Sequence, residues 1–71
     1  MALLDLTNTI QDFLMKEGFA VNGPDAQLMV YYFMVRVNER VAQSPWERLS
    51  SGDVVEIKIP FKGEVVTRIV P

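Results

Sequence analysis

Apolar residues recur along this chain with two different periods. Near the start they fall at Leu3, Leu6, Ile10, Phe13 and Leu14, at spacings of three and four that line one face of a helix. Asp5 or Thr7 can cap its first turn, because a short oxygen-bearing side chain accepts the free N–H groups there. Gly18 suits the left-handed conformation that ends a helix, with Phe19 folding back onto Leu14. The pattern predicts a helix over residues 5–17, with Asn8, Gln11, Asp12 and Lys16 on a solvated face. From Gly52 to Val70 the period drops to two. Val55, Ile57 and Ile59 alternate with Val54, Glu56 and Lys58, as in a strand with one face buried. A Pro-Phe-Lys-Gly break at residues 60–63 then leads into a second β-rich run, Glu64 to Val70. Together these runs predict a hairpin.

Between them lies a stretch that fits both periods. Asn22-Gly23-Pro24 is turn chemistry, since Gly permits positive φ and Pro fixes φ near −65°. From Ala26 to Val41 a strand would align Met29, Tyr31, Phe33, Val35 and Val37. A helix would align Val30, Phe33, Met34, Val37 and Val41, with Pro24-Asp25 as its start. The concentration of Val, Tyr and Phe favours the strand for residues 28–37. Such a strand is apolar on both faces, so Val30, Tyr32 and Met34 become candidate contacts for a partner. Asn38-Glu39-Arg40 reads as a turn and Val41-Ala42 as a short return strand. Ser44-Pro45-Trp46 interrupts the chain, because Pro disfavours helix at the residue before it. Trp46, the only tryptophan, reads either as a lid over one end of the core or as an interface anchor.

At 71 residues the chain has room for one domain, residues 1–71, and no second core. A domain of this size buries roughly 60% of its unfolded surface and is marginally stable alone. With 49% hydrophobic residues, part of its surface is expected to be hidden against a protein partner or a second copy. There is no cysteine and no histidine. That removes disulfides, Cys/His zinc sites and Ser-His or Cys-His catalysis. The net charge is −2 and the seven basic residues are scattered, which gives nucleic acid little to bind. The longest apolar run, Leu28 to Val35, is far short of the about 20 residues that span a bilayer. Met1-Ala2-Leu3-Leu4-Asp5 lacks the basic start of a signal peptide. The expectation is a cytoplasmic protein without a membrane segment.

No chemistry-bearing constellation appears. The nine carboxylates form no spaced pair for acid–base work, and no calcium loop is present. Gly18, Gly23, Gly52 and Gly63 are isolated turn glycines rather than a phosphate loop. Ser44, Ser50 and Ser51 have no histidine to activate them. The sequence therefore points to no catalytic residue, no metal and no cofactor.

The segment Val35 to Glu64 resembles the second half of the β-grasp sulfur carriers. These are the thiamine-biosynthesis sulfur carrier and the molybdopterin-synthase small subunit, with the related TGS domains. The likeness rests on Val35-Arg36-Val37-Asn38-Glu39-Arg40-Val41, on Ser44 and Trp46, on Leu49 through Ile57, and on Pro60-Phe61-Lys62-Gly63. It implies a β-grasp fold. The sulfur-carrier chemistry needs a terminal Gly-Gly, whereas here Gly63 is followed by Glu64 and the chain runs on to Pro71. The family also begins with a hairpin, and only about four residues precede the predicted helix. A second resemblance is to the swapped-hairpin AbrB/MazE type of DNA-binding regulators and antitoxins. It rests on Leu49 through Ile57 and Val65 through Pro71, without that family's basic N-terminal strand.

The expected fold is thus a small α+β single domain. One N-terminal helix packs on a mostly antiparallel, β-grasp-like sheet that ends in a β-hairpin. The expected function is a non-enzymatic protein-interaction module, a sulfur-carrier-like fold without carrier chemistry, contacting a protein partner or itself through Val30, Tyr32, Met34 and Trp46. The alternatives are a dimeric DNA-binding regulator or antitoxin, and a small phage or complex assembly subunit.

Overall fold

The computed structural model describes residues 8–59 and 62–71. Two helices, α1 (Ile10–Lys16) and α2 (Gly23–Tyr31), precede four strands: β1 (Val35–Val37), β2 (Arg40–Val41), β3 (Val54–Ile59) and β4 (Glu64–Ile69). The strands form one sheet in the order β2-β1-β3-β4, and every pairing in it is antiparallel. The chain is an α+β domain ending in a hairpin.

Helix α1 begins later than the expected residue 5. Its N-cap is Thr9, whose hydroxyl accepts from Asp12 N–H (3.2 Å) and donates to the Asp12 carboxylate (2.9 Å). The expected caps Asp5 and Thr7 lie outside the described residues. The next two free N–H groups are satisfied from across the molecule. Ile10 N–H donates to the Glu47 carbonyl (3.0 Å) and Gln11 N–H to the Pro45 carbonyl (2.8 Å). At the other end Gly18 is left-handed (φ +83°). Phe19 N–H reaches Leu14 C=O (2.8 Å) and Gly18 N–H reaches Met15 C=O (3.2 Å), the paired bonds of a Schellman stop.

The strand expected over residues 28–37 is corrected. Residues 28–31 belong to α2, and only Val35–Val37 is extended. Asn22-Gly23-Pro24 is the start of this helix rather than a free turn. Asn22 Oδ1 accepts from Asp25 N–H (2.8 Å), and Pro24 sits in the first turn, where its missing N–H costs nothing. Ala26, Met29 and Val30 are buried, at the spacing of three and one that a helix places on one side. The helix ends in a second Schellman stop, from Met34 N–H to Met29 C=O (3.0 Å) and from Phe33 N–H to Val30 C=O (3.0 Å). The left-handed residue here is Phe33 (φ +60°), where a glycine is usual.

Strands β1 and β2 join through a two-residue turn, Asn38-Glu39. Both are at positive φ (50° and 69°), the requirement of a type I′ hairpin. Between β2 and β3 the chain returns past α1, with Pro45 fully buried. It re-enters the sheet through a turn closed by Asp53 N–H to Ser50 C=O (3.0 Å). Gly52 (φ +91°) donates to Val70 C=O (2.8 Å), and Val70 N–H donates to Asp53 C=O (2.9 Å). Gly52 and Asp53 thus oppose the single residue Val70, a β-bulge that needs glycine at its first position.

The core lies between the helices and one sheet face. Ile10, Phe13 and Leu14 of α1 meet Ala26, Met29 and Val30 of α2 over Val35 and Val37 of β1 and Val55 and Ile57 of β3. No helix among the described residues covers the opposite face of the sheet, and none is long and apolar enough to cross a membrane.

Candidate functional site

The uncovered sheet face is built by register. Arg36 stands opposite Val41 on one side and Glu56 on the other, and Glu56 stands opposite Thr67. Val54 pairs with Ile69, and Lys58 with Val65. Side chains alternate along a strand, so Val41, Arg36, Val54, Glu56, Lys58, Val65, Thr67 and Ile69 share this outer face. Five of its residues carry no charge and four of those are branched aliphatics. Val65 and Ile69 are 58% and 68% exposed, because nothing flanks β4 on its far side among the described residues. The ion pair Arg36–Glu56 (3.9 Å) crosses the middle of the face. Phe33, 73% exposed, lines a groove at one margin with Met34, Arg36, Glu56, Lys58 and Val65.

The bonds at Val70 set the phase of the whole β3–β4 ladder. In an antiparallel pair, successive residues aim their N–H and C=O groups alternately toward the partner and away from it. On β3, Val54 C=O accepts from Asn38 N–H (2.8 Å) and Lys58 N–H donates to Met34 C=O (2.8 Å), so residues 54, 56 and 58 bond toward β1. Residues 55, 57 and 59 bond to 68, 66 and 64 on β4. Val65, Thr67 and Ile69 therefore aim their backbone groups at the open edge. Among the described residues these groups have no backbone partner; Thr67 C=O accepts only from the neighbouring Arg68 guanidinium (3.2 Å). The inner side of β4 is tied down differently. Arg68 pairs with Glu17 at the end of α1 (3.5 Å) and lies over the Phe19 ring (5.4 Å).

The residues expected to contact a partner divide. Val30 is corrected: it is 2% exposed in the core, since the helix turns it inward. Met34 is half-buried and lies where the α2 stop feeds β1. Tyr32, the C-cap of α2, is exposed at 69%, beside exposed Leu28 and Tyr31. Trp46 is 57% exposed, so the lid at that end of the core is Pro45 instead. Trp46 sits between the two residues whose carbonyls cap α1 and has its own N–H bonded to Ser44 Oγ (3.1 Å). Phe33, Val65 and Ile69 escape the sequence reading. For the last two the signal was the run Glu64–Val70, which sets Val65, Thr67 and Ile69 on one face and Val66 and Val70 beside Glu64 and Arg68 on the other, so that apolar residues fall on both sides of a strand with one core-facing side.

The carboxylates are committed elsewhere. Glu17, Glu47 and Glu56 pair with arginines. Asp12 and Asp25 sit in the first turns of the helices, where Asp25 accepts from Val21 N–H (3.0 Å). Asp53 accepts from Ser50 N–H (2.8 Å) and from the Asn38 amide (3.0 Å). These two bonds, in that order, hold its carboxyl below the usual range, helped by the Arg40 charge and opposed by slight desolvation. Asn38 also accepts from Val54 N–H (3.0 Å). The Ser-Ser-Gly-Asp loop is therefore a latch between hairpins. No group of three or more metal-ligating side chains gathers among the described residues. Comparison with family models and with curated proteins finds no match.

Proposed function

We propose that this chain is a non-enzymatic protein-interaction module that takes an extended strand of a protein onto the open edge of β4. The observation that carries this reading is the edge itself. Three successive outward-aimed residues, Val65, Thr67 and Ile69, offer backbone groups that have no backbone partner among the described residues, beside exposed aliphatic side chains. Strand addition draws affinity from such backbone groups and selectivity from the alternate side chains. Proteins that must keep an edge free place lysine, proline or a bulge on it. Here Lys62 precedes β4 and Pro71 follows it; the charges within it, Glu64 and Arg68, lie on its inner side, and Arg68 is paired with Glu17. Phe33 supports the same reading. It is an aromatic residue held in a backbone region that favours glycine, at the margin of the same face. Strain kept at an exposed aromatic points to use of the side chain.

A nucleic-acid role has less support. Arg36, Arg40 and Arg68, three of the four arginines, are engaged with glutamates. Enzymatic use has less support too, since five of the nine carboxylates hold ion pairs or helix starts and a sixth, Asp53, holds the latch.

Amide hydrogen exchange tests the reading, read at Val65, Thr67 and Ile69 in labelled protein, both concentrated alone and diluted into cell extract. Slowed exchange at these three amides in either condition supports strand uptake. Free exchange in both, with the β3 amides protected, contradicts it.

A further inference from the structure

We infer that the strand received by this edge is β4 of a second copy, antiparallel about a two-fold axis through Thr67. This rests on the edge-docking reading above and names its occupant.

Register selects this occupant. A two-fold axis at Thr67 sets Thr67 against Thr67 of the other copy, Val65 against its Ile69, and Ile69 against its Val65. Those three residues are the ones whose backbone groups aim outward. Each such pair exchanges two bonds, so about six hydrogen bonds close without any outward group left over. A shift of the axis by one residue, to Val66 or Arg68, still sets outward groups against each other but pairs only two of the three residues, leaving Ile69 against Gly63 or Val65 against Pro71, which has no N–H. The sequence of β4 is thus self-complementary in backbone and in side chains at once.

The side chains agree with the backbone. On the outer face, Val54 and Ile69 already stand side by side. The second copy adds Val65 next to Ile69, giving a continuous apolar row that ends in Lys58 of that copy. Val65 and Ile69, more than half exposed in the single chain, are thereby flanked on both sides. Thr67 against Thr67 is a favourable cross-strand pair. On the inner face, Val66 meets Arg68 of the other copy. The two Arg68 residues then stand on neighbouring strands as like charges. Glu17 at 3.5 Å from each Arg68 offsets that repulsion within its own chain. The contact is isologous and closes on itself, so it yields a dimer with an eight-stranded sheet rather than a fibre.

The tests are sedimentation of the purified full chain and cysteine cross-linking, which is clean because the chain has no cysteine. Sedimentation should give twice the 8.1 kDa chain mass with rising concentration. Ile69→Lys, which circular dichroism should show to be folded, should weaken the association roughly tenfold or more. Thr67→Cys should oxidise to a covalent dimer, because facing residues lie within disulfide reach. Val65→Cys alone should not, since its own counterpart lies four positions along the strand. A chain that stays monomeric, or that cross-links equally well through Val65→Cys, overturns the inference. Edge amides protected in cell extract but never in concentrated pure protein overturn it too, while the edge-docking reading survives. Edge amides that exchange freely everywhere overturn both.

Discussion

Phe33 carries the clearest tension in the chain. At φ +60° a β-carbon is crowded against the backbone, a cost of roughly 1–2 kcal/mol that glycine would avoid. Burial does not offset it, since the ring is 73% exposed. Phe33→Gly is therefore expected to leave stability unchanged or to raise it by up to about 1 kcal/mol, where deleting a core aromatic costs roughly 3–5. Chemical denaturation measures this. The same variant should weaken strand uptake, and a loss of stability with uptake intact would contradict the role given to the ring. Asp53 supplies a pH dependence. Its folded pKa lies below its ordinary value of 3.8, so the unfolded chain binds a proton first as pH falls. The latch contributes fully above that value and is lost as pH drops through the lowered folded pKa. Asp53→Asn should flatten the decline in stability below about pH 4. An unchanged acid limb in the variant would assign the decline to other carboxylates.

The helices and hairpins show what the sequence states openly and what it conceals. The end of α1 was legible because a Gly-Phe pair after an apolar stripe encodes a Schellman stop. The terminal hairpin was legible from strict alternation. The second helix was not. Residues 28–34 are rich in Val, Tyr and Phe, and β propensity mostly records fit to a half-buried pleat rather than a backbone preference. The caps decided the matter instead. Asn22, Pro24 and Asp25 start a helix, and three exposed aromatics at its far end never had to fit a sheet. Reading Tyr31-Tyr32-Phe33 as strand also drew the contact surface onto Val30, which the helix buries while its neighbours Tyr31, Tyr32 and Phe33 stay exposed. The β1–β2 turn carries a further departure from local preference, because Glu39 occupies a left-handed position that type I′ turns usually give to glycine. Glu39→Gly should raise the midpoint of thermal unfolding by a few degrees, corresponding to about 0.5–1 kcal/mol in a domain this small. A fall in the midpoint would mean that the Glu39 side chain contributes more than its backbone costs.

Both faces of the sheet derive from one alternation. The inner residues Val35, Val37, Val55 and Ile57 are covered by two short helices, and that exhausts the cover the described chain provides. The outer face and the β4 edge have no cover among the described residues, and the proposed function assigns them to a partner. What the sequence could not supply is the phase of the ladder. That phase rests on the bulge of Gly52 and Asp53 against Val70, a long-range pairing with no local signature beyond a glycine. Once the phase is known, the outward residues follow, and the two-fold register proposed for them is the one that pairs all three. The most direct test is an isotope-filtered NOE experiment on a mixture of labelled and unlabelled chains. In an antiparallel ladder the residues that do not share hydrogen bonds bring their α-carbons closest, to about 4.5 Å. The proposed dimer should show a cross-chain contact between Hα of Val66 and Hα of Arg68. No cross-chain contact in concentrated protein, or contacts confined to other residues, would contradict it.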